Sequence, residues 1–344
     1  MKRKQFGAKP TPELEAHYAK SENWKDGKFE NIVETTMEFS LWAMPRLIYK
    51  QFIDKKDREP KKPLAVADFD MESFMDDSVP FKYVWYGHSV VLMRLNGQTI
   101  LIDPMMGPNA APIAPFAVKR FSQNTLEFID QWPEIDLLLL THDHYDHLDL
   151  ASMEKLIPKV KNYYTSLGCK RHLVHWGVDE AKVTEFDWWD NQRFADISIT
   201  STPARHFSGR GLKDRAKSLW GGWTLRTTDL NIYFSGDGGY SHHFKDVGRR
   251  LGPFDFAFME CGQYNENWHQ IHMFPEESVR AANDAKVKKA TPVHWGGFAL
   301  AQHPWYEPAD RFVKAANKEG LSAVYPELGK VYALTDNCER LWWQ

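Results

Sequence analysis

The run His142-Asp143-His144-Tyr145-Asp146-His147 gathers three imidazoles and two carboxylates in six consecutive residues. Neutral imidazole and carboxylate are the ligands that zinc, manganese and iron take when thiolate is absent. Residues two apart project to the same side of an extended loop, so His142 and His144 can serve one metal. Asp146 and His147, just past the turn, can reach a second. A solitary His-x-His would read as a polar surface loop. This run instead follows Ile135 to Leu140, an almost wholly apolar stretch expected to form a strand buried on both faces. Such a strand gives the loop the rigid support a metal site needs.

One loop does not close two metal sites, and three further strand-like runs end in the missing ligand types. Ile197 to Thr202 leads through Pro203-Ala204-Arg205 to His206. Ile232 to Phe234 leads to Ser235-Gly236-Asp237-Gly238, where glycine lets the backbone approach a ligand closely. Ala290 to Val293 runs straight into His294. Other β-type runs are Val90 to Leu95 and Thr99 to Ile102, joined by the hairpin signal Asn96-Gly97. Val160 to Thr165, Trp223 to Thr227, Phe256 to Met259 and Val331 to Leu334 complete the set. Ser241 to Arg250, Pro275 to Lys286 and Pro308 to Glu319 read as helices, the last two opening with Pro in the first turn. The alternation predicts an α/β chain with two sheets inside and helices outside.

At 344 residues the chain can form one large two-layer domain with an extension. Residues 1–80 read as an N-terminal extension packing on a main domain of residues 81–344. Within it, Met37 to Phe52 carries apolar residues at mixed helical spacing, interrupted by Pro45. Packing on the main domain is the plainer reading; an amphipathic patch touching lipid or an acyl chain is the alternative. The net charge of −3 and the lack of a basic run argue against nucleic acid as a partner. Three cysteines, odd in number and far apart, form no disulfide framework and suit a reducing, cytoplasmic compartment, with peripheral membrane contact left open. The N-terminal MKRKQFGAKPTPELE is not followed by the apolar core of a secretory signal, and no stretch is apolar for long enough to cross a bilayer. The 14 Trp, 21 Phe and 13 Tyr can fill a core or line an apolar cleft, and composition does not separate the two. Oligomeric state leaves no mark in the sequence.

The order His-x-His-x-Asp-His, then His, then Gly-Asp, then His resembles the signature of the metallo-β-lactamase superfamily. That resemblance implies an αββα sandwich with two divalent metal ions at the sheet edge, zinc first, with manganese or iron also compatible. It implies that His142, His144 and His206 hold one ion and Asp146, His147 and His294 the other, with Asp237 bridging. Trp85 to Leu92, Asp103-Pro104, Trp220 to Trp223, Ser235 to Tyr240, Gly252 to Asp255 and His294 to Gly296 resemble the N-acyl-phosphatidylethanolamine-hydrolysing phospholipase D branch. This second resemblance runs from about Val84 to Gly320.

The chemistry implied is hydrolysis by a metal-bridging hydroxide, with Asp146 and Asp237 as catalytic carboxylates. The substrate would be a phosphodiester, small-molecule or lipid, cleaved as a phospholipase D cleaves. No covalent nucleophile is needed, and Ser208 and Ser235 carry no triad-like signal. His272, just before Pro275-Glu276-Glu277, matches a histidine of that branch. It could orient the phosphate or protonate the leaving oxygen; equally it could pack at the helix start. Arg205, Arg210, Asp214 and Arg215 flank His206, where an arginine could pair with phosphate, although solvated charges are the default reading. His88 and Asp103 read as groups that orient ligands. His172, His175, His242, His243, His269 and His303 read as ordinary. The competing functions are a lactonase or other carboxylic-ester hydrolase of the same fold, and a non-catalytic metal-binding sensor. A complete ligand set argues against the sensor.

Overall fold

The computed structural model describes residues 4–36, 49, 56–111, 117–211, 213–338 and 340–344. The Met37 to Phe52 segment, apart from Tyr49, lies outside the described residues. After a short helix α1 (Pro12–Tyr18) and a small hairpin, β1 (Trp24–Lys25) and β2 (Lys28–Phe29), the chain builds two seven-stranded sheets. The first holds β3 (Phe81–Trp85), β4 (Val91–Leu95), β5 (Gln98–Ile102), β6 (Ile135–Leu140), β7 (Val160–Ser166) and β8 (Val183–Phe186). The second runs through β9 (Asn191–Phe194), β10 (Ile197–Thr202), β11 (Gly222–Arg226), β12 (Asn231–Phe234), β13 (Phe256–Glu260), β14 (Lys289–Val293) and β15 (Ser322–Ala323). The last strand, β16 (Val331–Ala333), returns to the free edge of β3 and so ties the C-terminal segment to the first sheet.

Antiparallel pairing gives way to parallel pairing in the middle of each sheet, and that is where the site lies. β6 pairs in parallel with both β5 and β7, so its two faces both need cover. Leu137 and Leu139 enter the core between the sheets, while Leu138 and Leu140 pack on the opposite side, towards helices α3 (Thr125–Gln131) and α4 (Leu150–Leu156). Four consecutive leucines are therefore what this position requires. β12, β13 and β14 are likewise parallel, so Asp237 and His294 emerge at the same sheet edge. Helices α6 (His243–Arg250), α7 (Pro275–Asp284) and α8 (Glu307–Glu319) follow strands of the second sheet, with α7 and α8 carrying Pro in their first turns; α2 (Met71–Met75) and α5 (Lys170–Trp176) are shorter. Helices outside two facing sheets make an αββα sandwich.

Most strands lie within a residue or two of the sequence expectation. β3 is the principal strand the pattern did not mark: Lys82 breaks its apolar run, yet all five residues are buried, with Lys82 Nζ donating to the Ser73 carbonyl at 2.7 Å. Asn96 and Gly97 both take positive φ, 46° and 72°, as a two-residue hairpin demands. The described part of residues 1–80 is bonded to the body of the molecule. Tyr18 and Phe29 are fully buried in an aromatic cluster with Trp188, Leu219 and Trp220, and Trp176 Nε1 donates to the Lys4 carbonyl at 2.8 Å. No helix among the described residues is long and apolar enough to cross a membrane.

Candidate metal centre

The metal-type loop is held from below by one carboxylate. Asp103, at the end of β5, accepts from the Thr141 N–H (2.9 Å), the Thr141 hydroxyl (2.7 Å) and His147 Nδ1 (2.8 Å). Both ends of the loop are thus pinned to the neighbouring strand. The loop then enters α4, whose first turn is capped by Asp149 accepting from the Ser152 N–H at 3.0 Å.

All seven sequence-marked ligands come together, in two groups. In the first, His144 Nδ1 lies 2.9 Å from His142 Nε2 and 3.1 Å from His206 Nε2. In the second, Asp237 Oδ2 lies 3.0 Å from His147 Nε2 and 3.2 Å from His294 Nε2, and Asp146 Oδ2 lies 3.5 Å and 3.9 Å from the same two nitrogens. His142, His147 and Asp237 also offer atoms within 4.8 Å of one another, so Asp237 joins the groups. Gly236 makes this approach feasible: at φ 64° it is left-handed, and a Cβ there would collide with the Gly221 carbonyl.

The donor set fits divalent metal. Four of the five candidate imidazoles have the far nitrogen occupied: His142 Nδ1 by the Thr141 hydroxyl, His147 Nδ1 by Asp103, His206 Nδ1 by the Ile271 carbonyl at 2.9 Å, and His294 Nδ1 by the Ser89 hydroxyl at 3.1 Å. That arrangement fixes the tautomer and points the other nitrogen inward. His294 Nε2 is fully buried and makes no hydrogen bond among the described residues, even with Asp237 Oδ2 at 3.2 Å, an expensive state for an imidazole unless a cation faces it. His88 Nε2 lies 2.8 Å from Asp146 Oδ2, and it offers an atom to the same group as Asp146, His147 and His294.

Electrostatics point the same way. Burial holds His142, His206 and His294 well below the ordinary imidazole range and brings His144 down to about 4, leaving neutral nitrogens, the form that binds metal. Burial works against charge on His147 too, but Asp237, Asp146 and Asp103 outweigh it and raise this imidazole well above its usual value. Burial also pushes Asp237 up to about 6. Without metal, the cluster therefore draws in protons where a cation would sit. Both shifts are upward, so His147 holds its proton at neutral pH and below and Asp237 takes one as pH falls through about 6, and metal must then displace the protons. Apparent metal affinity in a chelator competition should fall by about tenfold per pH unit per displaced proton from roughly pH 7 to roughly pH 5. An affinity flat across that range would contradict the assignment.

Above the inward-facing atoms lies a cavity of about 210 Å³ lined by His144, Asp146, Phe207, Asp237, Gln263, Trp268, Ile271, His272 and Leu300. His272 Nδ1 is 2.8 Å from Glu260 Oε1, and the Met273 N–H donates to Glu260 Oε2 at 3.1 Å. Burial raises Glu260 well above the carboxylate range and lowers His272 to about 3. The pair therefore holds a single proton on the carboxyl side, leaving a neutral imidazole in the cavity wall. Glu260 was missing from the sequence expectation, which ended the strand at Met259; a charged residue closing a buried apolar run was the available signal.

Two other expectations change. Arg210 is not a solvated charge: it is buried, and its Nη1 donates to the Asp143 and Leu148 carbonyls at 2.6 and 2.7 Å, bracing the metal-type loop. Arg205 is committed to the Thr35 hydroxyl (3.0 Å), the Glu34 carbonyl (2.8 Å) and Gln270 Oε1 (2.8 Å), while Arg215 lies over the Phe207 ring at 4.1 Å. His172 is not an ordinary histidine, since it is buried against Asp143 Oδ2 at 3.1 Å. Asp143 also accepts from the Ser218 hydroxyl (2.5 Å) and the Gly209 N–H (2.8 Å), which turns its carboxylate away from the ligand cluster. Ser208 and Ser235 donate their hydroxyls to the carbonyls of Ser218 and Gly236.

The sequence pattern of the β-lactamase superfamily domain matches residues 98–295, which contain all seven candidate ligand positions. The chain belongs to the metallo-β-lactamase superfamily. It is 33% identical over 315 residues to an uncharacterized protein of Mycobacterium tuberculosis, covering 90% of this chain and 84% of that one. It is 29% identical over 291 residues to the N-acyl-phosphatidylethanolamine-hydrolyzing phospholipase D 1 of Caenorhabditis elegans, covering 79% of this chain and 81% of the relative. In fold it is similar to Igni18, a metallo hydrolase from Ignicoccus hospitalis, with a TM-score of 0.56 at 19% identity over 73% of this chain and 97% of that one. As a metallo-β-lactamase-fold protein with this His/Asp cluster, it is a metal-dependent hydrolase.

Proposed function

We propose that this hydrolase is a phosphodiesterase of phospholipase D type, acting on N-acyl-phosphatidylethanolamine-like or related phosphodiesters with two zinc ions. His142, His144 and His206 would hold one ion, Asp146, His147 and His294 the other, and Asp237 both. The observation that carries the reading is the single carboxylate of Asp237 joining two ligand groups beneath one small cavity. Two divalent ions held there would supply an acidified water and positive charge for the oxygens of the transition state. The chain supplies the rest. Asp103 and the other far-side partners hold His142, His147, His206 and His294 at their angles, so little reorganisation is needed when charge develops. Phe207, Trp268, Ile271 and Leu300 give the cavity an apolar rim suited to excluding water and to seating an acyl-bearing substrate. His272, with Glu260 behind it, delivers a proton to the departing oxygen. The resemblance to the Caenorhabditis elegans phospholipase D supports the substrate class.

Elemental analysis should find two zinc ions per chain, and the loaded protein should hydrolyse bis-p-nitrophenyl phosphate and N-acyl-phosphatidylethanolamine but not simple lactones. Lactone turnover without diester turnover would replace this reading with the carboxylic-ester one. Tight metal binding with neither activity would favour a sensor.

A further inference from the structure

His206 differs from the other histidines of the cluster in how its backbone is held. His142 and His294 follow the last residues of β6 and β14 by two and one positions, so strand pairing sets their course. His206 lies four residues beyond β10, in a loop. Among the described residues, both of its backbone groups are met by one side chain from far away in sequence. Asn31 Nδ2 donates to the His206 carbonyl at 2.8 Å, and the His206 N–H donates to Asn31 Oδ1 at 3.0 Å. Trp220 Nε1 donates to the same Oδ1 at 2.9 Å, which leaves only one orientation of the amide that satisfies all three bonds.

The surrounding contacts reinforce this clamp. The preceding residue, Arg205, is bonded to Glu34 and Thr35, and the Thr36 N–H donates to Gln270 Oε1 at 2.9 Å. Gln270 neighbours Ile271, whose carbonyl accepts from His206 Nδ1. Residues 31–36 thus fix the backbone of His206, and the 270–271 turn fixes its ring. An imidazole ring joined by two bonds to a mobile Cα would lose the spacing of 3.1 Å between its Nε2 and His144 Nδ1.

We propose that Asn31 is a positioning residue of the metal centre: by clamping the His206 backbone it sets the affinity of the three-histidine group for its ion. The N-terminal segment then belongs to the metal site, not only to the packing around it. The proposal rests on His206 being a ligand, as proposed above, and is independent of substrate class.

The test uses the full chain and zinc itself, with chelator competition, metal content and melting temperatures with and without metal. Asn31→Ala should weaken one of the two ions by about 10–100-fold and leave the other at native affinity. Asn31→Asp keeps the acceptor for the two N–H groups but sets an oxygen against the His206 carbonyl, so it should weaken the same ion. It also carries the test if the alanine variant does not fold. Cobalt substitution should show altered absorption for one ion only. His206→Ala separates the two layers of the argument. If it loses an ion while both Asn31 variants bind two at native affinity, the clamp has no role in metal binding and the proposal falls. If His206→Ala itself binds both ions natively, the ligand assignment fails and the proposal with it.

Discussion

Asp237→Asn is expected to abolish hydrolysis, by about 10³-fold or more, and to lower the metal content below that of the native chain. Asparagine matches aspartate in shape, so the left-handed turn at Gly236 and the packing beneath it survive. What disappears is a negative charge that faces His147 Nε2 at 3.0 Å and His294 Nε2 at 3.2 Å and reaches the group containing His142. No other carboxylate among the described residues joins both groups, since Asp146 Oδ2 stands beside His147, His294 and His88 alone. The substitution also removes one of the charges that raise His147, so that imidazole should be found closer to its ordinary value in the metal-free variant. Circular dichroism should report a native fold, elemental analysis a shortfall of metal, and turnover a loss on every substrate tested. Full activity from a metal-depleted Asp237→Asn protein would end the dinuclear assignment.

The candidate ligands that cluster here were legible in the sequence because each follows a strand that is itself legible. Four leucines in succession, or an alternating Ile-x-Ile, identify a buried strand, and in an α/β sandwich the strand ends are where side chains converge. His142, Asp237 and His294 follow from that rule with no contact known. The groups that act on the ligands are harder to see. Asn31 lies 175 positions from His206, and nothing in its neighbourhood of mixed polar residues distinguishes an amide clamp from a turn. Arg210 reads as a solvated charge and His172 as ordinary, and the buried Asp143 changes both: its backbone carbonyl accepts from Arg210 and its carboxylate faces His172. β3 was missed for a related reason, since Lys82 interrupts its apolar run and only the bond of Lys82 Nζ to the Ser73 carbonyl shows how that residue is buried. What sequence reading recovers is periodicity and residue type. What it loses is partnership across long separations.

The second large effect is expected at His272, and its size should depend on the leaving group. Burial keeps the Glu260 carboxyl protonated and the His272 imidazole neutral. The carboxyl then donates to Nδ1 across 2.8 Å, and Nε2 retains its hydrogen on the cavity side. A departing oxygen can take that hydrogen while Nδ1 takes the proton of Glu260, leaving a neutral imidazole and a carboxylate. Proton delivery of this kind contributes about 10²–10⁴-fold, and it matters only where the leaving oxygen is a poor one. His272→Ala should therefore reduce kcat on a lipid or alkyl phosphodiester by about that factor, yet reduce hydrolysis of bis-p-nitrophenyl phosphate by roughly tenfold or less, because p-nitrophenolate departs without a proton. Glu260→Gln should resemble it: the glutamine carbonyl accepts from Nδ1–H, which turns the Nε2 lone pair towards the cavity and removes the donor. Since the working form carries the proton, native activity on alkyl diesters should decline as pH rises through the titration of the pair, and that decline should vanish in both variants. Metal content should be unchanged throughout. Equal losses on both classes of substrate would assign His272 to holding the phosphoryl group in place, and no loss on either would return it to packing at the start of α7.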